Sequence, residues 1–342
     1  MRVTIYDVAK KAGVGIGTVS RVINHSPQIT EETKKKVLKA IKELHYQPHS
    51  VAQSLARKRT NTIGCIIPFF TGYFFVELLR GIQRKITEYN YDLILYSVDR
   101  THKKETFLSR VLKERRVDGV LLVSVEITNA FAGKFSKSQF PIVLVDSYHS
   151  DLDSITVDNI EGAYVATKHL IDLGFQRVAM IDGQLKSFPA KLRLRGYKKA
   201  LKEHNFPFRD EYFVACDFVD EADGFNKEAG YAAMKQLLDL KGGTPEAVFV
   251  SSDIQAIGAI HAIKERGWKV PDDIAVVGFD DIELARYVGL TTMQQPIMEM
   301  GELAVDRLIS RIAGDAVSDF KRCFHTKLVL RESSGCAAHS AC

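Results

Sequence analysis

The chain is 342 residues long, 46% hydrophobic, with a formal charge of +5; this suffices for two or three domains with sizeable cores and excludes a disordered chain. The charge is unevenly placed: residues 1–60 hold 12 Lys and Arg against 4 Asp and Glu, leaving 35 against 38 in the rest. A basic end on a mildly acidic body points to a polyanion bound at one end.

In chain order, residues 4–24 read TIYDVAKKAGVGIGTVSRVIN. Ile5, Val8, Ala9 and Ala12 fall at helical spacing on one face, Gly13 to Gly15 break the pattern, and Val19, Val22 and Ile23 make a second face. That is the outline of a helix-turn-helix. On the second helix Gly17, Arg21 and Asn24 share the face opposite Val19 and Val22, flanked by Thr18 and Ser20. Such a face suits hydrogen bonding to base edges and phosphates. The spacing alone fits a small helical bundle with a solvated polar face equally well. Thr30 is then an N-cap with Glu31 and Glu32 behind it. Val37, Leu38, Ile41 and Leu44 are expected to pack this third helix on the first two, inside a solvated face of lysines.

Residues 50–56, SVAQSLA, form a short helical candidate with Val51, Ala52 and Leu55 on one side. A helix this short is marginal without a packing partner. Arg57-Lys58-Arg59 follows as a basic linker. From Asn61 onward strands and helices alternate. Strand-like runs fall at 63–67, 92–98, 117–123, 141–145, 154–157, 177–181, 212–216, 246–250 and 273–278, with amphipathic helices such as 75–89, 162–173, 193–204 and 253–266 between them. This alternation demands parallel sheets covered on both faces, and the body is long for one sheet, so two doubly wound α/β lobes are expected.

In such folds a ligand sits at the carboxyl ends of the strands, here between the lobes. Tyr73, Phe74 and Phe75 follow the first strand; Asp146, Ser252 and Asp280 follow later ones, and Arg193 is expected to open the helix after Asp182-Gly183. Arg and Asp match adjacent hydroxyls in a planar, bidentate way, and an aromatic ring covers an apolar sugar face. Asp253 and Asp281 read as cap or fold residues.

Thr4-Ile5-Tyr6-Asp7-Val8-Ala9, Ala12-Gly13-Val14 and Thr18-Val19-Ser20-Arg21-Val22-Ile23-Asn24 resemble the DNA-binding head of the LacI/GalR family of bacterial repressors. The resemblance continues with interruptions to about Ser333, through Arg116-Val117-Asp118-Gly119-Val120, Asp158-Asn159 and Gly278-Phe279-Asp280-Asp281. It implies a helix-turn-helix head over 1–47, a hinge and linker over 48–60, a periplasmic-binding-protein-like body over 61–333, and an unmatched tail over 334–342. The lobes are expected at 61–158 plus 291–319 and at 159–290 plus 320–333, with crossovers near 157–161, 286–294 and 318–323. In the head it implies DNA contacts from Tyr6, Ile16, Gly17 and Thr18, and from Ser20, Arg21, Asn24 and Gln28. In the hinge it implies contacts from Ser50, Ala52, Gln53 and Ala56, with Leu55 wedged between base pairs in the minor groove. For the body it implies Arg193 and Asp280 as polar clamps on a small effector and Phe74 or Phe75 as the stacking surface. Ser252 stands where the family commonly has Asn, and Gly72-Tyr73-Phe74-Phe75 where it commonly has Asn-Pro-Phe-Phe, which leaves sugars, sugar phosphates and nucleosides open.

The expected protein is a homodimeric transcriptional repressor on a pseudo-palindromic, double-stranded DNA operator. Regulation by a phosphocarrier protein, as in the resembling catabolite-control repressors, and a sugar-binding module without a DNA role are the alternatives. No G-x-S-x-G elbow, P-loop or G-x-G-x-x-G turn is present, so an enzyme is not expected. No cofactor or metal is expected either, because the five cysteines lack C-x-x-C or His-paired spacing and read as reduced thiols. With no charged-then-apolar leader, and with the most apolar stretch broken by Pro68 and Gly72, the expected location is the cytoplasm, at the nucleoid.

Overall fold

The computed structural model describes residues 3–23, 28–46, 59–70, 72–98, 104–217, 221–315 and 320–335. The chain divides into two units at Asn61. Asn24, the hinge residues Ser50, Ala52, Gln53, Leu55 and Ala56, and the tail from Cys336 lie outside the described residues.

The first unit carries three helices. In α1 (Ile5–Ala12), Asp7 Oδ2 accepts from the backbone N (2.8 Å) and Oγ1 (2.7 Å) of Thr4. These bonds hold the Asp7 carboxyl below its ordinary range and fix where the helix starts. Gly13 ends it in the left-handed region at φ 66°, where a side chain would be strained. After the turn comes α2 (Ile16–Ile23), and α3 (Glu31–Glu43) begins at Thr30, whose side chain accepts from the Thr33 amide. Val8, Val19 and Val37, one from each helix, are fully buried at the centre. Burying each contributes about 1.5 to 3 kcal/mol. Leu38 corrects an expectation, being 47% exposed; the inward stripe of α3 is Val37, Ala40, Ile41 and Leu44. These sit at i, i+3, i+4 and i+7, whereas position 38 turns about 100° away.

The second unit contains two six-stranded sheets. The first runs β11-β5-β4-β3-β1-β2 and uses β1 (Thr62–Ile67), β2 (Asp92–Ser97), β3 (Gly119–Val123), β4 (Ile142–Val145), β5 (Asp153–Val157) and β11 (Lys321–Phe324). The second runs β12-β10-β9-β8-β6-β7 and uses β6 (Val178–Asp182), β7 (Phe213–Ala215), β8 (Ala247–Val250), β9 (Ala275–Asp280), β10 (Thr291–Gln294) and β12 (Lys327–Val329). All pairings are parallel except β10 with β12. The strands of β3, β4, β6 and β8 are buried along their whole length, as sheets covered on both faces require.

The helices include α4 (Tyr73–Tyr89), α5 (Lys104–Glu114) and α6 (Asn129–Ser138) on the first sheet. Then come α7 (Asn159–Asp172), α8 (Phe188–Glu203), α9 (Lys227–Leu238), α10 (Asp253–Glu265) and the short α11 (Glu283–Tyr287), and the late helix α12 (Ile297–Ala313) returns to the first lobe. There it packs against α4 so closely that a Cβ on Gly81 would lie 2.1 Å from the Met298 carbonyl oxygen. Only glycine fits that contact.

The second and third passages between lobes fall later than 286–294 and 318–323. β10 still belongs to the second sheet, so the chain crosses between Gln294 and Ile297; β11 belongs to the first, so the last crossing lies between Phe324 and Lys327. Pairing partners decide this: Thr292 aligns with Gly278 on β9, and Arg322 with Ile155 on β5. Among the described residues no helix is long and apolar enough to cross a membrane.

Candidate functional site

The cleft between the lobes of the body opens where strand ends meet helix starts. From the first lobe, Ser124 and Asp146 follow β3 and β4, while Tyr73, Phe74 and Phe75 form the first turn of α4. From the second lobe come Arg193 on α8, Ser252 at the cap of α10, and Asp280 ending β9. All seven expected effector residues therefore line one cavity.

Arg193 does not open its helix. α8 starts at Phe188, capped by Ser187, which puts Arg193 in the second turn, 4% exposed. Its Nε donates to Asn159 Oδ1 at 2.8 Å, Nη1 donates to the Ser251 carbonyl, and Nη2 stands 3.9 Å from Asp280 Oδ1. Its guanidinium carbon sits over the Phe279 ring, 3.9 Å from the centroid, with the Phe225 centroid at 6.0 Å. A planar cation so held is fixed in place before any ligand arrives.

Asp280 has φ 128°, a conformation costly for a side-chain-bearing residue. Gln295 Nε2 donates to its Oδ1 at 2.6 Å. Burial pushes its carboxyl up to about 8, reinforced by Asp253 and Asp146 and opposed by Arg193 and Gln295. Asp182, at the end of β6, is likewise pushed up to about 7 by burial, and its Oδ2 has no hydrogen-bond partner among the described residues.

Other residues divide between site and scaffold. Phe75 is 6% exposed, belongs to the first-lobe core and meets Phe69 and Phe74 edge-on at 4.9 and 5.4 Å. Phe74 is the more accessible ring, and Tyr73, 41% exposed, stands beside it. Ser252 Oγ accepts from the Gln255 amide and donates to Gln255 Oε1 at 3.0 Å, so much of its capacity is spent inside the protein. Asp253 accepts from the Ile282 amide and from Thr292, and Asp281 pairs with Arg331; both hold the fold. Cys65 and Cys216 are buried free thiols, each pushed up to about 12 by burial. Among the described residues no cluster of His, Cys, Asp or Glu could hold a metal.

Sequence reasoning missed Asp223 and Phe225, which wall the second-lobe side. Asp223 lies in a short 3-10 helix (Glu221–Gly224) and Phe225 just after it, a stretch that Gln255 anchors by donating to the Gly224 carbonyl at 2.8 Å. The available signal was Gly183: a Cβ there would lie 2.4 Å from the Phe225 ring. Ser187, Pro189, Ile254 and Ile282 also line the cleft unforeseen.

In the head, Tyr6 and Ile16 are 67% and 40% exposed although apolar or aromatic. Arg21 and Gln28 are exposed, Thr18 and Ser20 are half-buried, and nothing lies within 4 Å of where a Gly17 Cβ would be. The face opposite Val19 and Val22 is thus open along α2.

Known proteins resemble both parts of the chain. A model described as bacterial regulatory proteins, lacI family, matches residues 4–49, and one described as a periplasmic binding protein-like domain matches residues 167–334. The ribose operon repressor of Escherichia coli (strain K12) is 40% identical over 316 residues, covering 90% of this chain and 93% of that protein. The chain belongs to the LacI family.

Catabolite control protein A of Priestia megaterium is 38% identical over 316 residues, with 91% and 92% coverage. Among solved structures, the lac repressor dimer bound to operator and the anti-inducer ONPF aligns with a TM-score of 0.84 at 30% identity, over 98% of this chain and 99% of that one. This LacI-family chain is therefore a DNA-binding transcriptional repressor with an effector-binding body, on a scaffold of regulators rather than enzymes.

Proposed function

We propose that this chain represses transcription as a homodimer on a pseudo-palindromic operator and that a small hydroxylated effector of the sugar class, held in the inter-lobe cleft, sets its operator affinity. The observation that carries this is the pairing of a pre-set Arg193–Asp280 wall on one lobe with Tyr73 and Phe74 on the other, in one cavity. A ligand that touches both lobes stabilises one arrangement of them over another, and differential affinity is all that control requires. The aligned lac repressor is a dimer bound to operator and to a small molecule at once, and the repressor from E. coli serves a ribose operon.

On the DNA side, Arg21 and Ile16 read bases, Gly17 lets the helix approach closely, and Tyr6, Thr18, Ser20 and Gln28 contact backbone or base edges. Asn24 and, in the hinge, Ser50, Ala52, Gln53 and Ala56 are further proposed DNA contacts, with Leu55 as the wedge at a base step. A nucleic-acid partner places the protein in the cytoplasm, at the nucleoid. The test is fluorescence anisotropy on an operator selected from random DNA, with and without sugars found by thermal shift. A ligand that shifts melting and changes operator affinity supports the reading. Operator binding that no cleft ligand alters refutes effector control.

A further inference from the structure

The end of the second sheet is laced where the chain leaves it for the first lobe. Asp280, the last residue of β9, and Asp281 after it both hold positive φ, 128° and 59°. Such conformations persist in side-chain-bearing residues only where the surroundings over-determine them. Two consecutive glutamines do the holding. Gln294 Nε2 donates to Asp281 Oδ2 at 2.8 Å, and Gln295 Nε2 donates to Asp280 Oδ1 at 2.6 Å while its backbone N donates to the Asp280 carbonyl at 3.2 Å. Asp281 also pairs with Arg331, whereas Asp280 lines the cleft.

Gln295 is 5% exposed and is not itself part of the cleft wall. Its Oε1 is buried with no hydrogen-bond partner among the described residues. A buried amide left half-satisfied is destabilising, and an apolar side chain of similar size would avoid the loss. What the amide supplies in return is the bond to Asp280. Gln295 also occupies the crossing between the lobes. After it come Pro296 and α12, which lies against α4 so closely that a Cβ on Gly301 would stand 2.4 Å from the Leu78 carbonyl oxygen. The first turn of α4 in turn presents Tyr73, Phe74 and Phe75 to the cleft. One short stretch therefore joins the Asp280 wall to the aromatic wall.

We infer that Gln295 is a positioning residue of the cleft: from the crossing between the lobes it holds the strained Asp280 carboxyl in the pose that meets a ligand, so that this wall is set only while the crossing keeps its path. This rests on the cleft being the effector site, as proposed above. Besides Gln295, three charged or titratable groups bear on the Asp280 carboxyl. Arg193 and the Gln295 amide favour its ionised form, and Asp253 and Asp146 its neutral form. Removing the Gln295 donor therefore lets folded Asp280 keep its proton to a higher pH.

The test uses the full chain in two arms. In the first, without ligand, melting temperature is followed from about pH 5 to about pH 9 for the parent, Gln295→Met, Asp280→Asn and the double variant. The fall with rising pH should extend upward by about one pH unit in Gln295→Met, and Gln295→Met should move nothing further in the Asp280→Asn background. In the second, calorimetry with ribose and with glucose as probes should show Gln295→Met binding about tenfold more weakly than the parent, because the Asp280 pose is no longer set in advance. Should Gln295→Met not fold, Gln295→Asn, which keeps an amide but falls a methylene short of Asp280, gives the same reading. A pH profile unchanged from the parent overturns the inference, as does a displacement that persists in the Asp280→Asn background. Parent-like probe affinity in the variant also overturns it. If neither sugar binds the parent, the sugar-class effector reading fails, and the pH arm still decides for or against Gln295.

Discussion

Arg193 Nη2 stands 3.9 Å from Asp280 Oδ1, yet the Asp280 carboxyl is pushed up to about 8. Burial outweighs the cation, because Arg193 spends its shorter hydrogen bonds on Asn159 and Ser251. The pair is therefore less an ion pair than a guanidinium beside a carboxyl that keeps its proton and whose Oδ1 already accepts from Gln295.

That balance fixes a pH dependence. In the unfolded chain Asp280 ionises near 3.8, whereas in the folded chain it keeps its proton to about 8. Between these values the folded state binds more protons, so stability falls as pH rises. Asp182 and Asp253, raised by burial to about 7 and about 6, act in the same direction. The melting temperature of the body should drop from about pH 5 to about pH 8, and Asp280→Asn should flatten the drop. An identical slope in the variant, read by thermal shift across buffers, would count against Asp280 as a titrating group.

Arg193→Ala should weaken effector binding about ten- to a hundredfold, the cost of about 1.5 to 3 kcal/mol for losing a charge-assisted contact. It should also destabilise the body by about 1 to 3 kcal/mol, since Asn159 Oδ1 and the Ser251 carbonyl lose their donor inside the protein. Calorimetry and a urea midpoint read the two separately. Full ligand affinity in this variant would leave Arg193 with a structural role alone.

Gly183→Ala probes the wall that sequence reasoning missed. With a Cβ 2.4 Å from its ring, Phe225 must move, and overpacking of this kind costs about 1 to 3 kcal/mol. Ligand affinity should fall while DNA binding without ligand stays as in the parent protein. Unchanged ligand affinity would show that Phe225 is not part of the recognition surface.

On the DNA side, Arg21→Ala should reduce operator binding more than binding to random DNA, by about 1 to 3 kcal/mol if it reads a base. The salt slope on random DNA should change by about one at most. Equal losses on both DNAs, measured at several salt concentrations, would make Arg21 a phosphate contact only.

The parts legible in the sequence were those with local causes. Val8, Val19 and Val37 announced the head by helical spacing, Gly13 its turn, and the apolar runs of β3, β4, β8 and Val178–Ile181 of β6 the two buried sheets. Asp280 was found because it ends a strand, and Arg193 through the family resemblance, although its helix begins five residues earlier than expected. What stayed hidden depends on pairing across long separations. β11 and β12 are 4 and 3 residues long, separated by only His325 and Thr326, and belong to different sheets. No periodicity in so short a run reveals its partner. Asp223 and Phe225 reach the cleft from a single 3-10 turn held by Gln255 and Gly183, contacts that exist only once the second lobe has folded.

If one cleft governs one DNA-binding face, operator affinity of the full chain depends on a cleft-binding sugar in the parent protein and not in Asp280→Ala. Anisotropy on a selected operator should show the sugar changing the parent's affinity by about fivefold or more, with no change in Asp280→Ala at the same sugar concentration. A sugar that binds the parent in calorimetry yet leaves operator affinity untouched would contradict the account, as would an equal response in the variant.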